Sequence, residues 1–296
     1  MFWQRSLARA GMVIPRFLLG SKNRTKIKYL AATIPPWERD LYKNNPRVDP
    51  WAFIRVHNEA RTILQSLNSI KGIIHKGVIA FHGSTDGTEE IVYDFCKENK
   101  GFIPYRYPHE VVPCGDPRYE GNVPYENTLA AYYNATLDLI PKGEWFIKVD
   151  GDLLCFPDIL EKSFHIPTSE KDCVIYSRLD LLFTENKLMA HVYKRPGDHW
   201  LIRKDDETRF ENIKVIRDGK LYGYEILNKG KRRIICTECS WLHFPFEKQW
   251  RSSLNAVDRY NLGDFLKQLP DYEIDKSRFT VENLETIYRQ IIGVQK

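Results

Sequence analysis

Between residues 51 and 152 short apolar runs alternate with helical periodicities, and no other feature constrains the fold of this chain as strongly. Residues 52–56 form an apolar run that ends in His57-Asn58-Glu59, after which Ile63, Leu64, Leu67 and Ile70 recur at helical spacing. A second run at 77–81 closes in Gly83-Ser84-Thr85-Asp86-Gly87. Residues 88–99 then read as a helix, with Thr88 as N-cap, Glu89 and Glu90 in the first turn, and Ile91, Val92 and Phe95 facing inward. A helix around 129–139 is stopped by Pro141, and a strand at 144–149 ends in Asp150-Gly151-Asp152. Strand alternating with helix at this spacing predicts a parallel sheet flanked by helices.

Further strands are expected at 172–176, 199–202 and 232–236, with 241–245 just past the last of them. The final fifty residues read as helical, Thr280 capping a helix on which Leu284, Ile287, Tyr288 and Ile291 share a face. A chain of 296 residues that is 43% hydrophobic can bury a sizeable core, which excludes wholesale disorder. No run approaches the roughly 18 apolar residues that a membrane-spanning helix needs. Six cysteines, scattered from Cys96 to Cys239, do not make a disulfide framework. Cys236 and Cys239 form one CxxC, but it sits in a segment that reads as a strand end and lacks a second ligand pair, so buried reduced thiols are expected.

The net charge of +5 is unevenly spread. Residues 1–50 carry ten basic side chains against three acidic ones, whereas the remainder has a small negative excess. That distribution argues against a nucleic-acid surface, which needs Lys and Arg across the folded body. Drawn as a helix, residues 1–18 put Trp3, Leu7, Ala10, Ile14, Phe17 and Leu18 on one side and Arg5, Arg9 and Arg16 opposite, with interruptions at Gly11 and Pro15. Two readings stay open: a basic amphipathic segment on an anionic membrane, aided by Lys22, Arg24, Lys26 and Lys28, or a helix docked on the protein's own core. The arginines within the apolar stretch do not suit a cleavable signal peptide. The division of charge favours the membrane reading, and with it a cytoplasmic protein held peripherally on the inner face of the cytoplasmic membrane.

Ligands of open parallel sheets bind outside the carboxyl ends of the strands. Three polar clusters fall there: His57-Asn58-Glu59, Ser84-Thr85-Asp86 and Asp150-Gly151-Asp152. Two carboxylates two residues apart at a strand end can share a hard divalent cation, Mg²⁺ or Mn²⁺, together with substrate phosphates. At the end of a buried strand such acids are costly unless they serve a purpose.

Together these segments resemble the GT-A glycosyltransferases, the nucleotide-sugar-dependent and inverting kind. More narrowly, PWAFIRVHNEA, GVIAFHGSTDGTEEI, FIPYRYPHEV, EWFIKVDGD and LHFP are similar to the bacterial β-1,4-N-acetylgalactosaminyltransferases of lipooligosaccharide biosynthesis. The resemblance covers residues 50–170 and returns at Gly197-Asp198 and His243-Phe244-Pro245. It implies an α/β, Rossmann-like nucleotide-sugar-binding sheet, mixed but mostly parallel and flanked by helices. A basic N-terminal segment (1–49), a catalytic domain (50–245) and a helical C-terminal extension (246–296) make up the expected domains.

Carried over position by position, the resemblance implies a donor pocket of Val56, Asn58, Glu59, Asp86, Asn127, Asn134, Lys148, Asp150 and Gly151. It makes Asp150 a ribose or metal contact, Asp152 the main metal ligand and His243 the residue completing the metal and diphosphate site. For His243 a buried histidine bonded to a carbonyl is the alternative, and for Asn58 and Asp86 it is turn chemistry. The general base is expected near the start of a helix that precedes Gly230; Asp218 has that spacing, although Asp218-Gly219 also reads as a hairpin turn, and Glu225 is its rival. Asp198, with His199 or Trp200, is expected at the acceptor. One departure concerns the base: where many related transferases carry an acidic pair before the Gly-Ser-Thr turn, this chain has Phe81-His82. The expected activity is Mn²⁺- or Mg²⁺-dependent transfer of GalNAc, or a related sugar, from a UDP-sugar to a lipid-linked oligosaccharide. A non-catalytic sugar- or nucleotide-binding module is the alternative.

Overall fold

The computed structural model describes residues 32–33, 42–114, 116–184, 186–217, 219–248, 259–271 and 273–293. The segment read as amphipathic, 1–18, lies outside them. Its first strand, β1 (Ala32–Thr33), is followed by the expected alternation: β2 (Trp51–Val56), α1 (Ile63–Ile70), β3 (Lys76–Phe81), α2 (Thr88–Glu98), β4 (Phe102–Arg106), α3 (Leu129–Asp138) and β5 (Trp145–Asp150). The second half contains β6 (Leu153–Cys155), α4 (Pro157–Ser163), β7 (Asp172–Thr184), β8 (Lys187–Arg203), β9 (Arg209–Arg217), β10 (Lys220–Asn228) and β11 (Arg233–His243). It ends in β12 (Tyr260–Asn261), α5 (Leu262–Gln268) and α6 (Val281–Ile292).

The main sheet runs β1-β11-β7-β8-β5-β2-β3-β4, with β6 on β11 and β12 on β8. Strands β5, β2, β3 and β4 are mutually parallel. Strand β8 runs antiparallel to both β5 and β7, while β11 and β1 continue parallel to β7. The fold is therefore a mixed, mostly parallel α/β sheet of Rossmann-like type. Because β3 and β4 lie on one side of β2 and β5 on the other, the strand order reverses at β2/β5, where such sheets bind ligands.

Period-two alternation decides what each face packs against. Ala52, Ile54 and Val56 of β2 join Ile63, Leu67 and Ile70 of α1 and Val92 and Phe95 of α2 in one core, whereas Phe53 turns to Ala130 and Leu137 of α3. A third cluster lies beyond, where α5 and α6 cover Leu179, Leu181, Leu188 and Leu242 through Leu262, Leu266, Leu284 and Tyr288. Thr280 caps α6 as expected, accepting from Asn283 N at 3.2 Å. At α2 the cap is one residue earlier than expected: Gly87 takes φ 93°, and the Asp86 carboxylate accepts from Thr88 N.

Two differences bear on the site. Strand β11 runs on through Trp241 and His243, because pairing with both β7 and β6 extends it. The segment before Gly230, for which the resemblance implied a helix, is instead the antiparallel pair β9–β10, in register from Arg217↔Lys220 to Arg209↔Asn228. Alternating residues such as Ile213, Val215, Tyr222 and Tyr224 suit a strand pair. Cys236 and Cys239 are buried free thiols within β11.

Candidate active site

The carboxyl ends of β2, β3 and β4 open on a cleft of about 740 Å³ lined by His57, His82, Arg106, Tyr107, His109 and Arg118 among others. His57 and His82 stack face to face, ring centroids 4.3 Å apart and 1° from parallel. Asn58, at φ 52°, sets this up. Its Oδ1 accepts from Thr85 N at 2.8 Å, which turns Nδ2 towards His57 Nε2 at 3.3 Å. His57 Nδ1–H is then the donor to the His82 carbonyl at 2.7 Å. Asp86 likewise ties loops together, accepting from Ala60 N at 3.0 Å and from the Thr88 hydroxyl at 2.6 Å.

Burial, then the neighbouring His57, lowers the His82 pKa to about 3. Its ordinary value is 6.5, so the folded protein resists the proton that the unfolded chain accepts. Stability falls as the pH drops from 6.5 towards 3. The full shift is worth about 5 kcal/mol. Urea unfolding across this range should show that slope reduced in His82→Asn; an identical slope in both proteins would assign the acid sensitivity elsewhere.

The next cluster grows from charges set in apolar strands. Lys148 and Asp150 follow one another on the same face of β5, and Arg55 is in register with Asp150 across β2. Arg55 Nη2 donates to Asp150 Oδ1 at 2.8 Å, and its guanidinium lies 3.8 Å from the centre of the Tyr133 ring and 4.5 Å from that of Phe53. Strand β8 supplies the other half. Its register against β7 shifts between Tyr176↔His199 and Arg178↔Lys194, a bulge that re-aims Asp198. Lys148 Nζ stands 2.5 Å from Asp198 Oδ1 and 3.5 Å from Asp150 Oδ2. His199 Nε2 lies 3.1 Å from Asp150 Oδ2, and Arg178 Nη1 faces His199 Nδ1 at 3.3 Å.

Burial works against charge on Asp150, but Lys148, His199 and Arg55 outweigh it and hold its carboxyl well below the ordinary value. Asp198 is lowered too: although its side chain is 58% exposed, the surrounding protein desolvates the carboxylate, and Lys148 outweighs that. Burial brings His199 down to about 4, leaving a neutral imidazole at pH 7.

The second aspartate looks elsewhere. Asp152 is 1% exposed, its Oδ2 within 3.1 Å of His243 Nε2 and 3.0 Å of Lys248 Nζ. His243 Nδ1 is 2.9 Å from Asp180 Oδ1, which also accepts from Arg178 Nε at 2.9 Å. Lys248 Nζ reaches Glu59 Oε1 at 2.7 Å. One oxygen of each carboxylate, Asp152 Oδ1 and Glu59 Oε2, is buried without a hydrogen bond. Burial raises the Glu59 pKa to about 7. A Cβ on Gly151 would fall 2.1 Å from Glu59 Oε2 and 2.6 Å from Val56 Cγ1. Gly151→Ala is therefore expected to dislodge Glu59, cutting kcat/KM at least about tenfold and costing about 1–3 kcal/mol of stability. Wild-type turnover in this variant would remove Glu59 from the working site.

Asp150, Asp198 and His199 present three ligand atoms within 4.8 Å of one another, the one such group among the described residues. Two carboxylate oxygens and a neutral imidazole suit a divalent cation; Asp152, two residues on, keeps one buried oxygen without a hydrogen bond. The histidine of this group is His199, expected at the acceptor, while His243, expected at the metal, lies between Asp152 and Asp180.

Other expected residues are differently employed. Trp200 is buried against Phe53, Phe146 and Phe210 and offers no sugar platform. Asn134 gives both ends of its amide to Phe210, accepting from its N and donating to its O at 2.9 Å, and so clamps β9. Asn127 Nδ2 donates to Glu110 O at 2.7 Å. Glu225, on β10, faces the cluster; burial raises its pKa, with Lys148 and Arg55 opposing and Asp198 adding to the rise. Asp218 lies outside the described residues. Arg55, Arg178, Asp180 and Lys248 were not foreseen. Three of them carried a legible signal, a charge inside an apolar run (FIRV, SRLDLL), whereas nothing marks Lys248.

The sequence matches no curated protein. Among solved structures it is distantly similar to HddC from Yersinia pseudotuberculosis, at 8% identity and TM-score 0.33 over 68% of this chain and 96% of that one. A putative glucose-1-phosphate thymidylyltransferase from Bacillus anthracis, in complex with a sucrose, is similar at 12% identity and TM-score 0.31, over 80% and 83%. The family model for β-1,4-N-acetylgalactosaminyltransferase (CgtA) matches residues 38–292, most of the sheet and both C-terminal helices included. The chain belongs to the CgtA family of N-acetylgalactosaminyltransferases and is a glycosyltransferase.

Proposed function

We propose that this enzyme transfers GalNAc from UDP-GalNAc, with a divalent cation and inversion at the anomeric carbon, to a lipid-linked oligosaccharide, forming a β linkage. The observation that carries the reading is the Asp150–Asp198–His199 group at the strand-order reversal, beside the histidine-lined cleft. The base of the donor lies in that cleft against the His57–His82 pair, where a neutral His82 offers one donor and one acceptor to its edge.

Glycosyl transfer develops positive charge on the sugar ring and negative charge on the departing diphosphate. Held by Asp150, Asp198 and His199, a cation would neutralise the diphosphate. Lys148 and Arg178 keep both carboxylates ionised and oriented. Glu225 is the general base: a carboxylate whose pKa is raised by burial accepts the proton of the acceptor hydroxyl more readily than an ordinary one. Asp198, whose side chain is 58% exposed, is the member of the group open to the acceptor side.

No helix among the described residues is long and apolar enough to cross a membrane. The basic segment 1–49 holds the body to an anionic membrane surface, where a lipid-linked acceptor is found, with 50–245 as the catalytic unit and 246–296 as its helical extension. Vesicle co-sedimentation that survives removal of residues 1–48 would overturn that part.

A screen of nucleotide sugars for thermal stabilisation, with and without Mn²⁺, tests donor and cation together. UDP-GalNAc with Mn²⁺ is expected to stabilise most, by about 2–3 kcal/mol at a hundredfold excess over Kd. Preference for another nucleotide or sugar would overturn the donor assignment, and equal stabilisation in EDTA the cation.

A further inference from the structure

Both carboxylate pairs of the site are closed by a lysine, but the two lysines differ. Lys148 rises from the middle of β5 and is 3% exposed, so the sheet fixes it. Lys248 follows the short helical turn Pro245–Glu247, and its side chain keeps some contact with solvent. The backbone just before it is anchored, because Glu247 pairs with Arg61 at 3.1 Å and accepts from the Tyr288 hydroxyl. A change in Lys248 is therefore a swing of its four-carbon side chain, not a movement of the core.

What Lys248 holds is unusual for an ordinary ion pair. Its ammonium takes one oxygen each from Glu59 and Asp152, both at least nine-tenths buried, and leaves the other oxygen of each without a hydrogen bond. Glu59 Oε2 reaches to within clashing distance of a Cβ at Gly151, between the two aspartates of the turn. A single ammonium donates along at most three directions, whereas a divalent cation draws six or more oxygens around it. Two buried carboxylates with half their oxygens unused are under-coordinated by the lysine and suited to a metal ion. The candidate ligands here are the carboxylate oxygens alone, since both ring nitrogens of His243 already face carboxylates, Asp152 at 3.1 Å and Asp180 at 2.9 Å.

We propose that Lys248 is a tethered counter-ion, which a divalent cation displaces from Glu59 and Asp152, so that loading the cation and releasing the lysine are one event. The inference rests on the reading of the aspartate turn as a cation site. It adds that this chain carries its own competitor for the cation. Removing the competitor strengthens metal binding, the reverse of what loss of a supporting residue does.

Calorimetric titration of the full chain with MnCl₂ separates these outcomes, alongside melting curves in EDTA and in Mn²⁺. Lys248→Met is expected to bind Mn²⁺ about tenfold more tightly than wild type, since a charge opposing the ion at contact distance is gone. It should also melt lower in EDTA, having two buried carboxylates unpaired, and regain more on adding Mn²⁺ than wild type does. Lys248→Arg keeps the competing charge and should stay within about threefold of wild type. Should Lys248→Met not stay folded in EDTA, Lys248→Gln, whose amide still donates to one carboxylate, carries the same titration. Equal or weaker Mn²⁺ binding in the neutral variants, with wild type binding normally, overturns the proposal and leaves the cation site standing. Absence of Mn²⁺ binding in every protein overturns both.

Discussion

Asp150→Asn should lower kcat by about a thousandfold while the protein remains folded. The substitution keeps an oxygen for Arg55 Nη2 and nearly the same volume, so the packing of Arg55 between Tyr133 and Phe53 survives. What disappears is the negative charge shared by Arg55, Lys148 and His199, and one of three ligand atoms within 4.8 Å. Arg55 and Lys148 are buried cations, and removing their common partner costs stability, of the order of 3 kcal/mol. The melting midpoint is therefore expected to fall without loss of the cooperative transition. Turnover measured as UDP released from UDP-GalNAc, with circular dichroism as the check on folding, decides the matter. A folded variant within tenfold of wild type would remove Asp150 from the reaction. Asp86→Asn is the matched control: Asp86 holds a loop and the start of α2, so its loss should show in stability more than in kcat.

Glu225→Gln is expected to reduce kcat by about 10²–10⁴-fold with the donor KM unchanged, as removal of a general base does. The pH profile carries the sharper signature. A base works only when deprotonated, and burial raises the Glu225 pKa. Wild-type activity should therefore fail as the pH drops through a value above the ordinary carboxylate range. In Glu225→Gln that acid limb should vanish, leaving a low and flatter profile. An unchanged acid limb, or kcat within about fivefold of wild type, would pass the role to another carboxylate.

The half of the sheet that was legible in the sequence is the half built from local patterns. Apolar runs at 52–56 and 77–81, acids in the first turn of α2 and a strand ending in Asp-Gly-Asp are each decided within a dozen residues. The other half depends on pairings that no local pattern records. Strand β8 could be read only at 199–202, because its remaining length is defined by β7, and its bulge at Asp198 exists only in that register. The resemblance implied a helix before Gly230, whereas the alternative reading of Asp218-Gly219 as a hairpin turn agrees with the pairing of Arg217 with Lys220 in β9–β10.

The site divides the same way. Asp150 and Asp152 stood out as a pair, yet the turn at Gly151 between them sends one to His199 and the other to His243. Trp200 was expected near the acceptor beside Asp198; it shares the face of Ile202 on β8 and packs in the core against Phe53, Phe146 and Phe210, while Asp198 lies at the bulge and is exposed. Lys248 lies 96 residues from Asp152 and in a polar stretch, so only the closing of β11 against β6 brings the two together.

Among the described residues the β9–β10 pair joins no other sheet; it is fastened to the body at its base, through the Asn134 amide clamp and the packing of Phe210 and Leu227 against α3 and Trp200, and midway, where buried Gly223 lies against the Tyr119 ring. The rest of its length carries side chains that the donor-binding strands do not need for their own packing. A sequence change towards its tip leaves the cleft at β2, β3 and β4 untouched, and a change in that cleft leaves the strand pair standing. The cleft and the tip of the strand pair are thereby separable in sequence, so that each can be altered while the other keeps its structure.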